Sequence, residues 1–308
     1  MVGRQGLSLI AVAASIAAAA PALGQAGQAG ELVVSGDGIV PVTVNGVPGR
    51  VRIDPAVPAL PMLTADYAGR IRLRAGPFAF GYLVGPQQVD GLSAVARIAV
   101  GAGARPRKRR VGFTQRPYVA GADGVIGPGG LPQQVIRFVL RPPVPGERTV
   151  ALPLVDEGGL FGGWGGMYAL VDVGGRPMRI RFNPHHPRTL ATAGAGVRIA
   201  AAQEGRIGGD SEAVEIAFGI SRPVSTLRLG TPLQIGPLAI STLGVRTADF
   251  GNASAIREEG GDPDEIVVTG ERDRDRRRDR LSLGADQLGR CSSIVFDKRA
   301  RQVRLTCS

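Results

Sequence analysis

Residues 42–58 read VTVNGVPGRVRIDPAVP, and residues 171–187 read VDVGGRPMRIRFNPHHP. The second stretch is the first displaced by 129 positions (171 − 42), and the two align without a gap. Val42 matches Val171, Val44 matches Val173, Gly46 matches Gly175 and Pro48 matches Pro177. Arg50 matches Arg179, Arg52 matches Arg181, Pro55 matches Pro184 and Pro58 matches Pro187. At the centre, Asp54 stands opposite Asn183. A chain rich in Val, Gly, Pro and Arg produces scattered coincidences, but an ungapped run of this density reads as two copies of one structural unit.

Each copy carries a hairpin pattern. VPVTVNG and GRVRID are β-branched or alternating runs around a glycine-containing turn, and YALVDVGG and RPMRIRF repeat the arrangement. Each hairpin ends in an acid or amide followed at once by proline. Proline fixes its own φ and pushes the preceding residue into an extended conformation. Asp54 and Asn183 are therefore expected where a strand stops and a loop begins, a common place for functional side chains.

A duplicated hairpin ending in an acid resembles the aspartic proteases, in their pepsin-like or retropepsin-like bacterial form. Members of that family carry hydrophobic-hydrophobic-Asp-Thr/Ser-Gly at this point of each lobe. They also carry an apolar-apolar-Gly strand late in each lobe. Here Val125-Ile126-Gly127 and Leu283-Gly284 stand in that place, each followed at the same distance by leucine, Leu131 and Leu288. The family closes each lobe with a strand pair, matched by VIRFVL and RTVALPL in the first half and by SSIVFD and QVRLTC in the second. The resemblance implies a mostly β fold of two similar lobes.

The match breaks at the residues that carry the family's chemistry. Two carboxylates facing each other share a proton because like charges at short range cannot both ionise, and together they activate a water. Asp54 and Asn183 cannot do this, because an amide neither takes nor gives the proton at ordinary pH. Pro55-Ala56 and Pro184-His185 replace the bracing hydroxyl and the glycine of the family loop. The expectation is an aspartic-protease fold with a degenerate site. Three alternatives stay open: Asp66 or Asp172 completes the site, two chains pair their Asp54 residues, or Asp54 merely caps a turn.

Around this centre the chain divides simply. Residues 1–26 read as a signal peptide: Arg4, then the apolar LSLIAVAASIAAAA, then small residues, with cleavage after Gly24 or Ala26. The apolar run is shorter than the roughly 20 residues of a membrane span, and no later stretch qualifies, so the chain is not expected to span a membrane. The expected location is the periplasm or the exterior. Residues 27–155 form the first lobe, the glycine-rich 156–166 a linker containing the sole tryptophan, Trp164, and residues 167–308 the second lobe. LTADYAGRIRL is expected to hold a helical turn. Residues 252–280 form an insertion charged in both signs. Its segment 264–270, DEIVVTG, resembles the TonB box of outer-membrane receptors and implies an envelope partner.

The net charge of +11 is spread along the chain and does not point to nucleic acid. The basic run Arg105–Arg110 lacks interleaved aromatics and reads as a solvated hairpin tip, with an anion or membrane-surface patch as the alternative. The chain's only histidines, His185 and His186, are adjacent, and neighbours in an extended segment point opposite ways, so no metal is expected there. A pH-responsive contact between lobes is the alternative role for them. Cys291 and Cys307 bracket a hairpin pattern and, in an oxidising compartment, are expected to form a disulfide. No phosphate-binding glycine loop, zinc spacing or Ser/His/Asp order is present, and no cofactor is expected. The function expected is binding of a peptide or protein in the cleft between lobes. The alternatives are an active aspartic endopeptidase and an envelope interaction protein working through 252–280.

Overall fold

The computed structural model describes residues 30–157, 165–249, 253, 256 and 279–308. Residues 1–26, expected to be a signal peptide, Trp164 and nearly all of 252–280, including 264–270, lie outside the described residues.

The protein is mostly β, with barrel-like sheets. A first strand, β1 (Glu31–Ser35), precedes the hairpin of β2 (Ile39–Val44) and β3 (Val47–Ile53). The turn between β2 and β3 is Asn45-Gly46, with φ of 50° and 84°. Asn and Gly tolerate this left-handed pair, whose twist matches that of the flanking strands. Val42, Val44, Val51 and Ile53 point inward, and the intervening residues are more exposed. Period-two alternation has thus set which face is buried.

Next come β4 (Met62–Thr64), α1 (Ala65–Arg70), β5 (Ala79–Val84), β6 (Gln87–Val100), β7 (Arg107–Thr114) and β8 (Gly124–Ile126). The helical turn expected in LTADYAGRIRL is α1, capped by Thr64, whose hydroxyl accepts from the Tyr67 N–H. A 3₁₀ turn at Pro128–Gly130 leads to β9 (Val135–Val139) and β10 (Arg148–Asp156). The second half runs β11 (Met167–Val173), β12 (Arg176–Phe182), β13 (Leu190–Thr192), α2 (Ala193–Ala202), β14 (Arg206–Ala217), β15 (Ile220–Ile235) and β16 (Leu238–Arg246). It finishes with β17 (Arg280–Leu283), α3 (Ala285–Leu288), β18 (Cys291–Asp297) and β19 (Gln302–Cys307).

The strand pairings of the two halves correspond. In the first, β3 runs parallel to β8, β8 antiparallel to β4, β4 parallel to β7, and β7 continues into β6 and β5. In the second, β12 runs parallel to β17, β17 antiparallel to β13, β13 parallel to β16, and β16 continues into β15 and β14.

The closing strands differ from the expectation. VIRFVL and RTVALPL, which are β9 and β10, do not pair with each other. Instead β9 pairs with β18 and β10 with β19, so the strands from both halves form one run, β1-β9-β18-β19-β10-β11. Alternation in a short strand fixes its inward face but not its partner, and here each strand pairs across the halves. Phe296 in β18 packs edge-on against Phe138 at 5.8 Å and Phe182 at 6.0 Å, tying the shared sheet to both halves. Cys291 and Cys307 form a disulfide across β18 and β19. The basic run is also placed differently: Arg107–Arg110 lie within β7, paired along their length with β6, and only 101–106 make the connecting turn.

Candidate functional site

Asp54 directly follows β3. Its N–H donates to the Ile126 carbonyl at 3.1 Å, extending the β3–β8 ladder by one bond, and its own carbonyl accepts from Val57 N–H at 3.3 Å. Asn183 repeats both contacts after β12: its N–H donates to Leu283 at 2.8 Å, and its carbonyl accepts from His186 at 3.1 Å. In each half a strand therefore ends against the neighbour that closes in Ile126-Gly127 or Leu283-Gly284, and the chain turns at once. The glycines are required for close approach. A Cβ on Gly127 would stand 2.0 Å from the Val57 carbonyl oxygen, and one on Gly284 2.3 Å from the backbone of Arg188.

Asp54 is buried, at 4% exposure, and so are Pro55 and Ala56. One carboxylate oxygen, Oδ1, accepts the Ala56 N–H at 2.7 Å. Burial pushes its carboxyl above the usual range, against the pull of His185, the Ala56 N–H, Arg52 and Arg181. His185 belongs to the other half, so this electrostatic contact spans the two halves. Burial pushes the His185 imidazole down, the Asp54 charge opposes that, and Arg52 adds to it. With Pro184, Ile53, Gly38 and Leu140, His185 lines a cavity of about 210 Å³ between the halves. The His186 ring lies 2.7 Å and 3.0 Å from the carbonyl oxygens of Arg188 and Glu215, a set of contacts separate from those of His185. Among the described residues no group of three metal-ligating side chains gathers.

Neither alternative carboxylate reaches Asp54. Asp66 is exposed in α1, after Thr64, whose N–H bonds the Asp123 carbonyl. Asp54 bonds β8 at Ile126, three residues further on, so the two acids are roughly 10 Å or more apart along the sheet. Asp172, near the end of β11, accepts the Gly175 N–H of the following turn and stands opposite Pro177, six residues of strand (roughly 20 Å) from Asn183.

Over Asp54 lies a roof that the sequence reading missed. The β5–β6 hairpin and the β14–β15 hairpin meet there. Val84 and Val89 of the first pack with Ala217, Phe218 and Ile220 of the second, above Val57, Met62 and Val125. Tyr82, Tyr118 and Phe218 contact one another edge-on, with centroids 5.0–5.8 Å apart. Burial pushes the Tyr118 hydroxyl well up, and the nearby Tyr82 and Asp54 push the same way. The tip of the first hairpin is seated in the second half. A Cβ on Gly85, which has φ of +61°, would lie 2.7 Å from Asp249 Oδ1 and 3.0 Å from Arg222 Nε. Arg246 pairs with that same Asp249 at 2.9 Å.

A guanidinium wall completes the surroundings. Arg181, two residues before Asn183, donates to the Tyr168 hydroxyl at 3.3 Å, and Arg280 donates to it at 3.5 Å. Burial opposes the Arg181 charge, but the oxygens of Tyr168, Tyr82 and Tyr118 outweigh it. Burial pushes Tyr168 up, yet Arg181 and Arg280 bring its hydroxyl below the ordinary value. The turn Phe218-Gly219 in EIAFGISRP is a hairpin signal that marks Phe218 as a tip residue. Nothing local pairs that tip with Tyr82, because the contact joins segments far apart in sequence.

Chemically the site offers one protonatable carboxyl, an imidazole and several fixed cations. It lacks a second carboxylate at the position that corresponds to Asp54. No family model matches the chain, and no curated protein matches it. Among solved structures, the EIAV protease complexed with the inhibitor HBY-793 is similar over 29% of this chain and 79% of its own, at 20% identity and a TM-score of 0.23.

Proposed function

We propose that the chain is a two-lobed aspartic-protease-like protein without a working dyad, which binds an extended peptide or protein segment between its lobes. The observation that carries the reading is the correspondence of Asp54 and Asn183. The two residues end matching strands and make matching backbone bonds, and only one is an acid. The recurring strand pairing supports descent of the halves from one unit, and the shared sheet supports lobes that move little at their base. Export to the periplasm or exterior is the setting we propose, supported by the disulfide and the leader-like first 26 residues.

On this reading the two roof hairpins part to admit the ligand. A segment entering beneath them would displace Phe218 and Tyr82 from their mutual contact and meet the Asp54 carboxyl and the Arg181 guanidinium. The test is fluorescence anisotropy of labelled, reduced casein with the disulfide-intact protein. Saturable binding that Phe218→Ala changes at least three-fold is the expected result. Binding unaffected by Phe218→Ala and by Arg181→Ala would place any interaction outside the cleft and overturn the proposal.

A further inference from the structure

The basic run is not isolated on its strand. Arg107 and Arg109 alternate with Lys108 and Arg110 along β7 and so share one face. On that face Arg107 lines a cavity of about 600 Å³ together with Arg137 from β9, Arg304 from β19 and Arg299 from the turn between β18 and β19. A second cavity, of about 220 Å³, is lined by Arg105, Arg107 and Arg109. Arg107 borders both, which makes them neighbours. Arg137 and Arg304 each stand opposite Val295 in the ladder, so their side chains leave the shared sheet on one face. Three separate chain segments, β7, β9 and the β18–β19 hairpin, thus bring arginines to one place.

Two acids, Glu31 and Asp297, also line the larger cavity, so four guanidiniums face two carboxylates there. Glu31 pairs with Arg137 at 2.8 Å, and the Asp297 carboxylate accepts the Ala300 N–H at 2.8 Å in its own turn. Among the described residues, Arg105, Arg107, Arg109, Arg299 and Arg304 take part in no ion pair. The crowding leaves an electrostatic trace. Burial pushes Arg109 down and Arg107 adds to that. Lys298 is pushed down to about 8, chiefly by burial, with Arg109 adding to it and Asp156 opposing. An excess of cations around a cavity focuses a positive potential into it.

We propose that these adjoining cavities bind the phosphate groups of a polyanion. Guanidinium forks match phosphate oxygens bidentately, and several forks converging on one volume favour a ligand with several phosphates over a single small anion. The larger cavity falls within the size range of small-ligand sites, roughly 300–1,000 Å³. The ligand chemistry is shared by a soluble polyphosphate and by a phosphorylated lipid headgroup.

The experiment is calorimetric titration of the disulfide-intact full chain with sodium tripolyphosphate. Beside it runs sedimentation with vesicles containing phosphatidylglycerol. The variant is Arg107→Glu/Arg304→Glu, and the control is Arg176→Glu/Arg206→Glu, which makes the same charge change at exposed positions elsewhere. We expect at least one probe to bind, the first variant to weaken it ten-fold or more, and the control to weaken it less than three-fold. Binding of tripolyphosphate alone identifies a soluble ligand, and binding of vesicles alone identifies a headgroup. Absence of binding to both probes, or equal weakening by variant and control, overturns the proposal. Circular dichroism of each variant establishes that it is folded.

Discussion

Replacing Phe218 by alanine tests whether the two roof hairpins hold each other. Phe218 is 3% exposed and touches Tyr82 at 5.1 Å and Tyr118 at 5.0 Å between centroids. Removing a buried phenylalanine costs about 3–5 kcal/mol. Tyr82 and Tyr118 are half-buried and can fold into part of the vacated space, which places the value near the lower end, at about 3 kcal/mol. The residue has φ of +57°, a strained value for any residue with a Cβ, and alanine keeps that strain, so backbone effects cancel to first order. With a urea slope of about 3 kcal/mol per M, the midpoint falls by about 1 M. Hydrogen exchange adds the location: amides of 84–89 and 216–220 should lose protection more than those of β18 and β19. A midpoint shift under about 0.3 M, with protection at 84–89 unchanged, would refute the reasoning, because the hairpins would then stand without each other.

Other consequences follow from the same geometry. Burial raises Asp54 above its unfolded value of about 3.9, so the fold holds that proton longer and loses stability as pH climbs from about 4 through the raised pKa. His185, pushed down by burial, acts oppositely: its contribution recovers as pH rises through its lowered pKa toward about 6.5. Asp54→Asn should therefore gain stability relative to the parent between pH 3.5 and 7, and a difference independent of pH in urea melts would contradict this. Removing both cysteines as Cys291→Ala/Cys307→Ala should cost about 3 kcal/mol for a closed loop with a sequence separation of 16, checked by comparing melts of the variant and the oxidised parent. Gly127→Ala forces a Cβ against two backbone carbonyls and should cost about 3 kcal/mol, seen as a lowered melting temperature. A neutral result there would mean the Val57–Pro58 loop is free to move aside.

Local chemistry makes part of this legible in the sequence. Both hairpins stand where alternating valines and glycine turns put them, because inward residues such as Val44 and Ile180 have one buried face available. The cysteine pair was legible from its bracketing of a two-strand pattern. What escaped was non-local. The partners of β9 and β10 depend on strands of the other half, and no short stretch encodes that choice. The roof escaped for the same reason, since Tyr82, Tyr118 and Phe218 come from three distant segments. The run Arg105–Arg110 reads as a solvated tip because no aromatic interleaves its cations. In β7 the alternation sends Arg107 and Arg109 to one face, where arginines of other strands meet them. The burial of Asp54 beside a histidine of the other half was visible only as two halves of a pattern, Asp54-Pro55 and Pro184-His185.

The most direct test of the account is proteolysis. Fluorescein-labelled casein is incubated from pH 3 to 7 with the folded, disulfide-intact protein and, in parallel, with Asp54→Asn. With Asn183 in the second position, neither protein should release fluorescent peptides above the rate of the substrate alone at any pH. Acid-optimum cleavage by the parent that vanishes in Asp54→Asn would contradict the account, because it would require a second acid that acts with Asp54.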